Sequence, residues 1–482
     1  MPRQPVRCPP DPEIVAGFER IRDRLEIPAE FPDEVLREAE EAAAAGPRIP
    51  DGAATEIRDA RDIPFVAIDP QGSTDLDQAF AAHRSGDGYV VSYAIADVAA
   101  FVAPGGSIDR EARTRGVTLY SPDRRTSLHP EAISENAGSL LEGRDRQALL
   151  WTIELDGDGV LGDARIERAL VRNRRELSYR EAQQLASTAD ADEPVGLLRE
   201  IGERRLALEV ERGAVSLALA SQEVVRRADG TYDVEYDETL PVERWNAQIS
   251  LLTGIAASRI MIDGGLGLLR TLPEPDERTI GRLRRTAAAL GVDWPAHVSY
   301  ADLVRGLRGD TPQRAAMLSQ SARGLRGAGY VAFHDHDLPE QPEHSAIAST
   351  YAHVTAPLRR LCDRFANEVL LALCADKTPP AWAVEALNEL PSLMGRARSR
   401  DRNLERAVVE FVEAVALQGS VGETFDAVVT DVDDERDRGR IQLFDPAVVA
   451  RLPAAGLTLG DEVRVRLTHA DPVAGQVRFE RT

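Results

Sequence analysis

Ala67–Phe80 reads AIDPQGSTDLDQAF and sets three aspartates, Asp69, Asp75 and Asp77, within nine residues between two apolar arms. The arms PFVAID and AFAAHR have the composition of strands, so the acids stand where one strand ends and the next begins. Pro70 and Gly72 break the chain between the first two acids, which predicts a tight loop aiming several carboxylates at one point. Burying such a cluster is costly unless a positive group sits in it. Hard oxygen donors of this kind suit Mg²⁺ or Mn²⁺, which keep some waters and engage phosphate oxygens. On spacing alone, an acidic turn on a solvated surface accounts for the stretch equally well.

At 482 residues the chain exceeds one ordinary core, and about 150 residues per domain suggests roughly three. No segment approaches the ~20 uninterrupted apolar residues of a membrane span, and MPRQPVRCPPDPEI has no apolar leader. A cytoplasmic, monomeric protein without membrane contact or nucleotide cofactor is expected. Cys8, Cys362 and Cys374 are scattered without a metal-type or redox-type pairing and read as buried thiols. The formal charge of −22 argues against a polyanion spread over the whole surface, but not against one inside a channel. Of the 58 basic residues only Lys377 is lysine, and arginine is the better fork for phosphate oxygens.

The chain divides by texture into three. Residues 1–58 predict two short helices, DPEIVAGFERIRDRLEI and PDEVLREAEEAAAAG, possible parts of a helix-turn-helix-like unit against the C-terminal end. Residues 59–412 mix strands such as GYVVSYAIADV with helices at EPVGLLREIGERRLALEVERG, Trp245–Ile262 and LCDRFANEVLLALCAD. Residues 417–482 hold short alternating strands with Gly or Asp turns, spaced as in a small closed barrel. The fold class is therefore α+β multidomain: a mixed α/β central domain, a small N-terminal helical domain and a C-terminal OB-type barrel.

Four segments in order, RDARDIPFVAIDPQGSTDLDQAF, YVVSYAIADVAAFV, TRGVTLYSPDRRTSLHPEAISENAGSLLEGRDRQALLWTIELDGDG and YAHVTAPLRRLCDRFANEVL, resemble the successive motifs of the RNB catalytic domain of the ribonuclease II/R family. The resemblance covers about residues 59–410, and the C-terminal strands resemble the family's S1 RNA-binding domain. It implies a processive 3′-to-5′ exoribonuclease that converts single-stranded RNA to nucleoside 5′-monophosphates with Mg²⁺ or Mn²⁺ at the bottom of a channel. A threaded strand needs arginines along its path only, which accommodates an acidic exterior.

The resemblance also implies roles. Asp69 and Asp77 match metal-binding acids, Asp75 completes the cluster, and Asp77 is expected to be indispensable. The family has a fourth aspartate where this chain has Gln78, which offers a neutral carbonyl oxygen and removes one charge. Arg359 matches the arginine that reaches the scissile phosphate, the alternative being a helix-start arginine paired with Asp363; Arg360 is the weaker candidate. Tyr120 matches an aromatic that stacks on bases, or is a core tyrosine. Tyr179 matches a tyrosine facing the terminal ribose, with Gln248 at the position of its acidic partner. Glu405 matches a glutamate near the channel, or is a solvated helix acid.

The arginine-rich run RARSRDRNLER is either a strand-facing or a solvated helix face, and Arg438 and Arg440 with Phe425 and Phe444 give the barrel a candidate RNA face. HDHD, His334–Asp337, is assigned no role. The family's two N-terminal cold-shock barrels have no counterpart here, so single-stranded RNA 3′ ends are the expected substrate. An RNA-binding protein whose catalysis is weakened through Gln78 is the alternative.

Overall fold

The structure, a computed structural model, describes residues 6–8, 12–50, 57–188, 190, 193–215, 222–227, 229–236, 239–307, 311–433, 437–444 and 448–482. After a short strand at Val6–Cys8, which pairs with Tyr232–Val234, come helices α1 (Pro12–Arg24) and α2 (Asp33–Ala45). Six strands then form the central sheet, a two-residue edge strand at Arg58–Asp59 and five longer ones: β1 (Phe65–Asp69), β2 (Gln78–Ser85), β3 (Gly88–Ala96), β4 (Asp145–Leu155) and β5 (Leu161–Ser178). β2 to β5 run antiparallel in sequence, and β1 inserts parallel to β5 and antiparallel to β2. The 18 residues of β5 serve two neighbours, pairing with β4 from Leu161 to Arg172 and with β1 from Asn173 to Ser178, so the sheet curls onto itself.

Side-chain size follows the strand period of two. One face carries Ile68, Phe80, Tyr93, Ile95 and Trp151, and covers itself with helices α3 (Tyr179–Ala186), α4 (Pro194–Glu211) and α5 (Pro241–Asp263). The alternate positions Ala67, Ala79, Ala81, Ala94, Ala148 and Ala169 belong to a separate cluster on the other face, mostly of alanines, with Phe65, Leu150 and Val171 as its larger members. Each sequence-predicted helix in this region exists, including α6 (Leu361–Cys374) after the TAPLRR segment. Cys362 is buried and Cys374 half-buried, both free, while the side chain of Cys8 lies outside the described residues.

The 28-residue α7 (Leu390–Leu417), about 42 Å long at 1.5 Å per residue, leads to strands β6 (Thr424–Asp433), β7 (Arg438–Leu443), β8 (Val449–Leu452), β9 (Glu462–Asp471) and β10 (Gln476–Arg481). They order as β8-β7-β6-β9-β10, all antiparallel, with the edge strands β8 and β10 drawn together into a nearly closed barrel. Val429, Ile441, Val465, Leu467 and Phe479 fill it, and Val408, Phe411 and Val412 of α7 join the same core.

The N-terminal helices do not make a unit of their own. Ile14, Phe18 and Ile21 of α1 enter the barrel core, whereas Val35 and Ala39 of α2 pack with Phe101, Ile133 and Leu358 of the central domain. Each helix has one narrow apolar stripe, enough for a single partner, and the two stripes face different partners. Gly17 is what lets α1 close on α7, since a Cβ there would fall 2.0 Å from Phe411 Cζ. A helix-turn-helix-like pair therefore gives way to two separate braces. No helix among the described residues is long and apolar enough to cross a membrane.

Candidate active site

The acidic stretch and TAPLRR meet although about 280 residues separate them, as the 281-residue spacing of Asp77 and Leu358 records. Asp77 stands just before β2, and its carbonyl accepts from Ala96 N at 2.9 Å at the end of β3, so the main chain holds it in place. Its carboxylate is 3% exposed, with Oδ1 accepting from Leu358 N at 2.8 Å and Oδ2 from Arg359 Nε at 3.2 Å. Burial, only partly offset by Arg359 and the Leu358 N–H, pushes its pKa up to about 7. Asp69 ends β1 beside Ser178 of β5, and burial pushes its pKa up to about 6 against the pull of Arg359.

Arg359 is fixed by its backbone rather than its tip. Its carbonyl accepts from Thr118 N at 2.9 Å and Leu361 N bonds Gly116 O at 3.0 Å, clamping TAPLRR against residues 116–118. The guanidinium spends Nε on Asp77, is 47% exposed, and among the described residues its two terminal nitrogens have no protein partner. Arg360 differs. It pairs with the fully buried Asp363 through Nη2 at 2.7 Å and Nε at 3.1 Å. The Asp363 pairing weighed for Arg359 thus belongs to Arg360, which holds the start of α6.

Asp75 turns its carboxylate to Arg125, which also pairs with Glu135, and accepts from Tyr120 Oη at 3.4 Å. Tyr120 is 54% exposed on the Leu119–Tyr120 strand of a hairpin whose other strand carries Arg125, so its ring is not in the core. Arg125, which sequence reasoning passed over, is the residue that neutralises Asp75; its place in SPDRRTSL was the available signal.

Tyr179 is the first residue of α3, set beside Asp69 because β5 turns directly into the helix at Ser178. A capping box with Glu181 fixes that turn: Ser178 Oγ accepts from Glu181 N while the Glu181 carboxylate accepts from Ser178 N. The side chain that hydrogen-bonds Tyr179 is Asn246, with Glu243 also close. Gln248, two residues and about 200° further round the helix, instead lies 3% exposed against Glu209 of α4 with its Oε1 unpartnered. The α5 side chain beside Tyr179 is therefore Asn246 and not Gln248. Glu405 is exposed on α7 near Asp401, and it has no bond to the other site residues among those described.

Gln78 is not a free ligand. Its Nε2 donates to Thr355 O, so a side chain of the acidic stretch is tied to the main chain of TAPLRR. No group of three or more His, Cys, Asp or Glu among the described residues is arranged to hold a metal, so the acids do not form a closed cage. The donor set that remains, Asp69 and Asp77, fits a cation that takes one or two carboxylates and completes its shell with water and phosphate. Their raised pKa values report buried negative charge that the neighbouring arginine only partly balances.

Comparisons with known proteins identify the family of this fold. The RNB domain matches residues 57–376, and the RNase II-type exonuclease C-terminal S1 domain matches residues 423–482. Ribonuclease R of Thermotoga maritima is 24% identical, with the alignment covering 97% of this chain and 70% of that protein. Mycoplasma genitalium RNase R in complex with ribose methylated single-stranded RNA matches at a TM-score of 0.84 and 17% identity, over 98% of this chain and 78% of that one. Yeast Ssd1, a pseudonuclease, matches at a TM-score of 0.69 and 16% identity, over 95% and 57%. The same frame thus serves a protein named as an RNase and one named as a pseudonuclease, so the fold alone does not decide activity. In family terms the conclusion is direct: this chain belongs to the RNB family, with an RNase II-type S1 barrel at its C-terminal end.

Proposed function

We propose that this protein is an active, processive 3′-to-5′ exoribonuclease that hydrolyses single-stranded RNA to nucleoside 5′-monophosphates with Mg²⁺ or Mn²⁺. The observation that carries the reading is the clasp of Asp77 by Leu358 N and Arg359 Nε. It sets a buried carboxylate against an arginine whose outer fork is left for a phosphate.

Asp69 and Asp77 are the residues to hold the metal, which when bound supplies a more acidic water and electrostatic stabilisation of phosphate charge. Arg359 offers its terminal nitrogens to the charge that develops on the phosphate. Tyr120 presents an exposed ring to a base, an interaction worth about 1–3 kcal/mol and indifferent to base identity. Tyr179, oriented by Asn246 beside Asp69, is positioned for the terminal sugar. The carboxamide of Asn246 can both donate and accept toward a 2′-hydroxyl.

The second reading, RNA binding without efficient cleavage, is favoured by one observation: Gln78 is committed to Thr355 O and Asp75 to Arg125, leaving two acids for the metal. Incubating a 5′-labelled oligonucleotide with Mg²⁺ or Mn²⁺ separates the two. Stepwise shortening that is absent from an Asp77→Asn control supports the enzyme. Retention of the strand at full length by protein that binds it supports the second reading.

A further inference from the structure

A cavity of about 290 Å³ opens where the C-terminal end of α4 meets the middle of α5 and the turn that begins β5. Arg205, Arg212 and Arg259 line it together with an aliphatic wall that includes Leu161, Leu208 and Ile255. Arg205 is 3% exposed, and apart from Nη1, which donates to Gly159 O at 3.0 Å, it is poorly satisfied: its Nε has no partner, nor has the Nε of Arg212. Arg259 has one long contact, Nη1 to Leu161 O at 3.4 Å. Among the described residues, none of the three forms an ion pair.

Two acids are near. Glu209 acts on the field at Arg205 and Arg212 but gives its carboxylate to Gln248, and Glu211 stands at the cavity wall. Burial first, and then repulsion from Arg212 and Arg259, brings the Arg205 pKa down to about 10. A buried guanidinium in such company is expensive unless an anion completes it. Planar forks with unused N–H groups fit phosphate oxygens best. The cavity volume is near the lower end for small-molecule sites, room for a phosphate with a compact organic body against the aliphatic wall.

We propose that this cavity is a binding site for a small phosphomonoester of nucleoside monophosphate size, separate from the active site. Thirteen residues of α5 separate Arg259 from Asn246, about 20 Å along the helix. One molecule therefore cannot fill both places, and the inference does not depend on whether the protein cleaves RNA.

Calorimetric titration of the full chain in EDTA with inorganic phosphate, adenosine 5′-monophosphate and adenosine tests it, alongside an Arg212→Gln, Arg259→Gln double variant. Both substituted positions are at least partly exposed, so the fold is retained. Saturable binding of phosphate and of the monophosphate, weakened at least tenfold in the variant and absent for adenosine, is the expected result. Equal titration of both proteins, or adenosine binding as tightly as its phosphate, overturns the site. A third arm uses a single-stranded oligonucleotide. If the variant loses tenfold toward the strand while its affinity for the monophosphate is unchanged, the arginines serve RNA backbone phosphates and the small-ligand assignment falls.

Discussion

Two neighbouring arginines face two buried aspartates, and the pairs are built differently. Asp363 is satisfied from several sides: Arg360 gives it Nη2 at 2.7 Å and Nε at 3.1 Å, and Ala356 N adds a bond at 2.7 Å. Asp77 receives one backbone N–H and one long contact of 3.2 Å from Arg359, and its pKa rises to about 7. A saturated buried pair fixes the start of a helix. An unsaturated one keeps capacity for a further cation and a further anion. On the proposed reading, adjacent residues of one motif thus divide structure from chemistry.

The largest expected effect is on the unsaturated side. Asp77→Asn keeps the shape and the acceptor for Leu358 N but removes the charge, and RNA shortening is expected to fall by about 1,000-fold or more, the scale of losing a key electrostatic group. Its melting temperature should hold or rise, because a desolvated carboxylate is gone. A collapse of the fold in circular dichroism would place Asp77 with Asp363 instead. Asp363→Asn should do the opposite, costing about 3–5 kcal/mol of stability in denaturant titration by leaving Arg360 uncompensated. Arg359→Lys retains the charge but loses the fork and the Nε bond, and the rate should drop about 100-fold with unfolding unchanged.

The metal response should depend on pH in a definite direction. Asp69 and Asp77 have folded pKa values of about 6 and 7, above the ordinary 3.8. In the metal-free protein their contribution to stability is fully present below about pH 4 and is lost as pH rises through 6 and 7. A cation that needs the ionised forms offsets that loss. Mn²⁺ should therefore raise the melting temperature at pH 8 and have almost no effect at pH 5; an equal shift at both would remove these two acids from the binding site.

Much of this was legible in the sequence, for reasons that differ by element. Alternation of large and small residues in β1, β2 and β3 gives both faces of the sheet, and Pro70 and Gly72 give the loop, so Asp69 and Asp77 could be placed at strand ends. The partition between Arg359 and Arg360 could not be read, because it depends on residues 116–118 clamping the loop. Gln248 lies away from Tyr179 because two positions along a helix are nearly opposite in space, and only the docking of α5 on α3 decides that Asn246 faces Tyr179. The two N-terminal helices show the same limit: their apolar stripes are visible, but which core receives each one is a tertiary fact.

The smallest effect tests the least ordinary residue. Gln78 donates Nε2 to Thr355 O, which a carboxylate cannot do; aspartate there is shorter and sets an acceptor against an acceptor. Gln78→Asp should lower stability by about 1–3 kcal/mol, the cost of leaving a buried carbonyl unpaired and repelled, and Mn²⁺ should restore part of it by occupying the added charge. If the site works with Asp69 and Asp77 alone, the Mg²⁺ concentration for half-maximal RNA shortening should move less than tenfold. An inert protein that this one substitution switches on would instead mean that Gln78 silenced the site while keeping its two motifs joined. The hydrogen bond to Thr355 would then be the device that preserved the architecture after catalysis was lost.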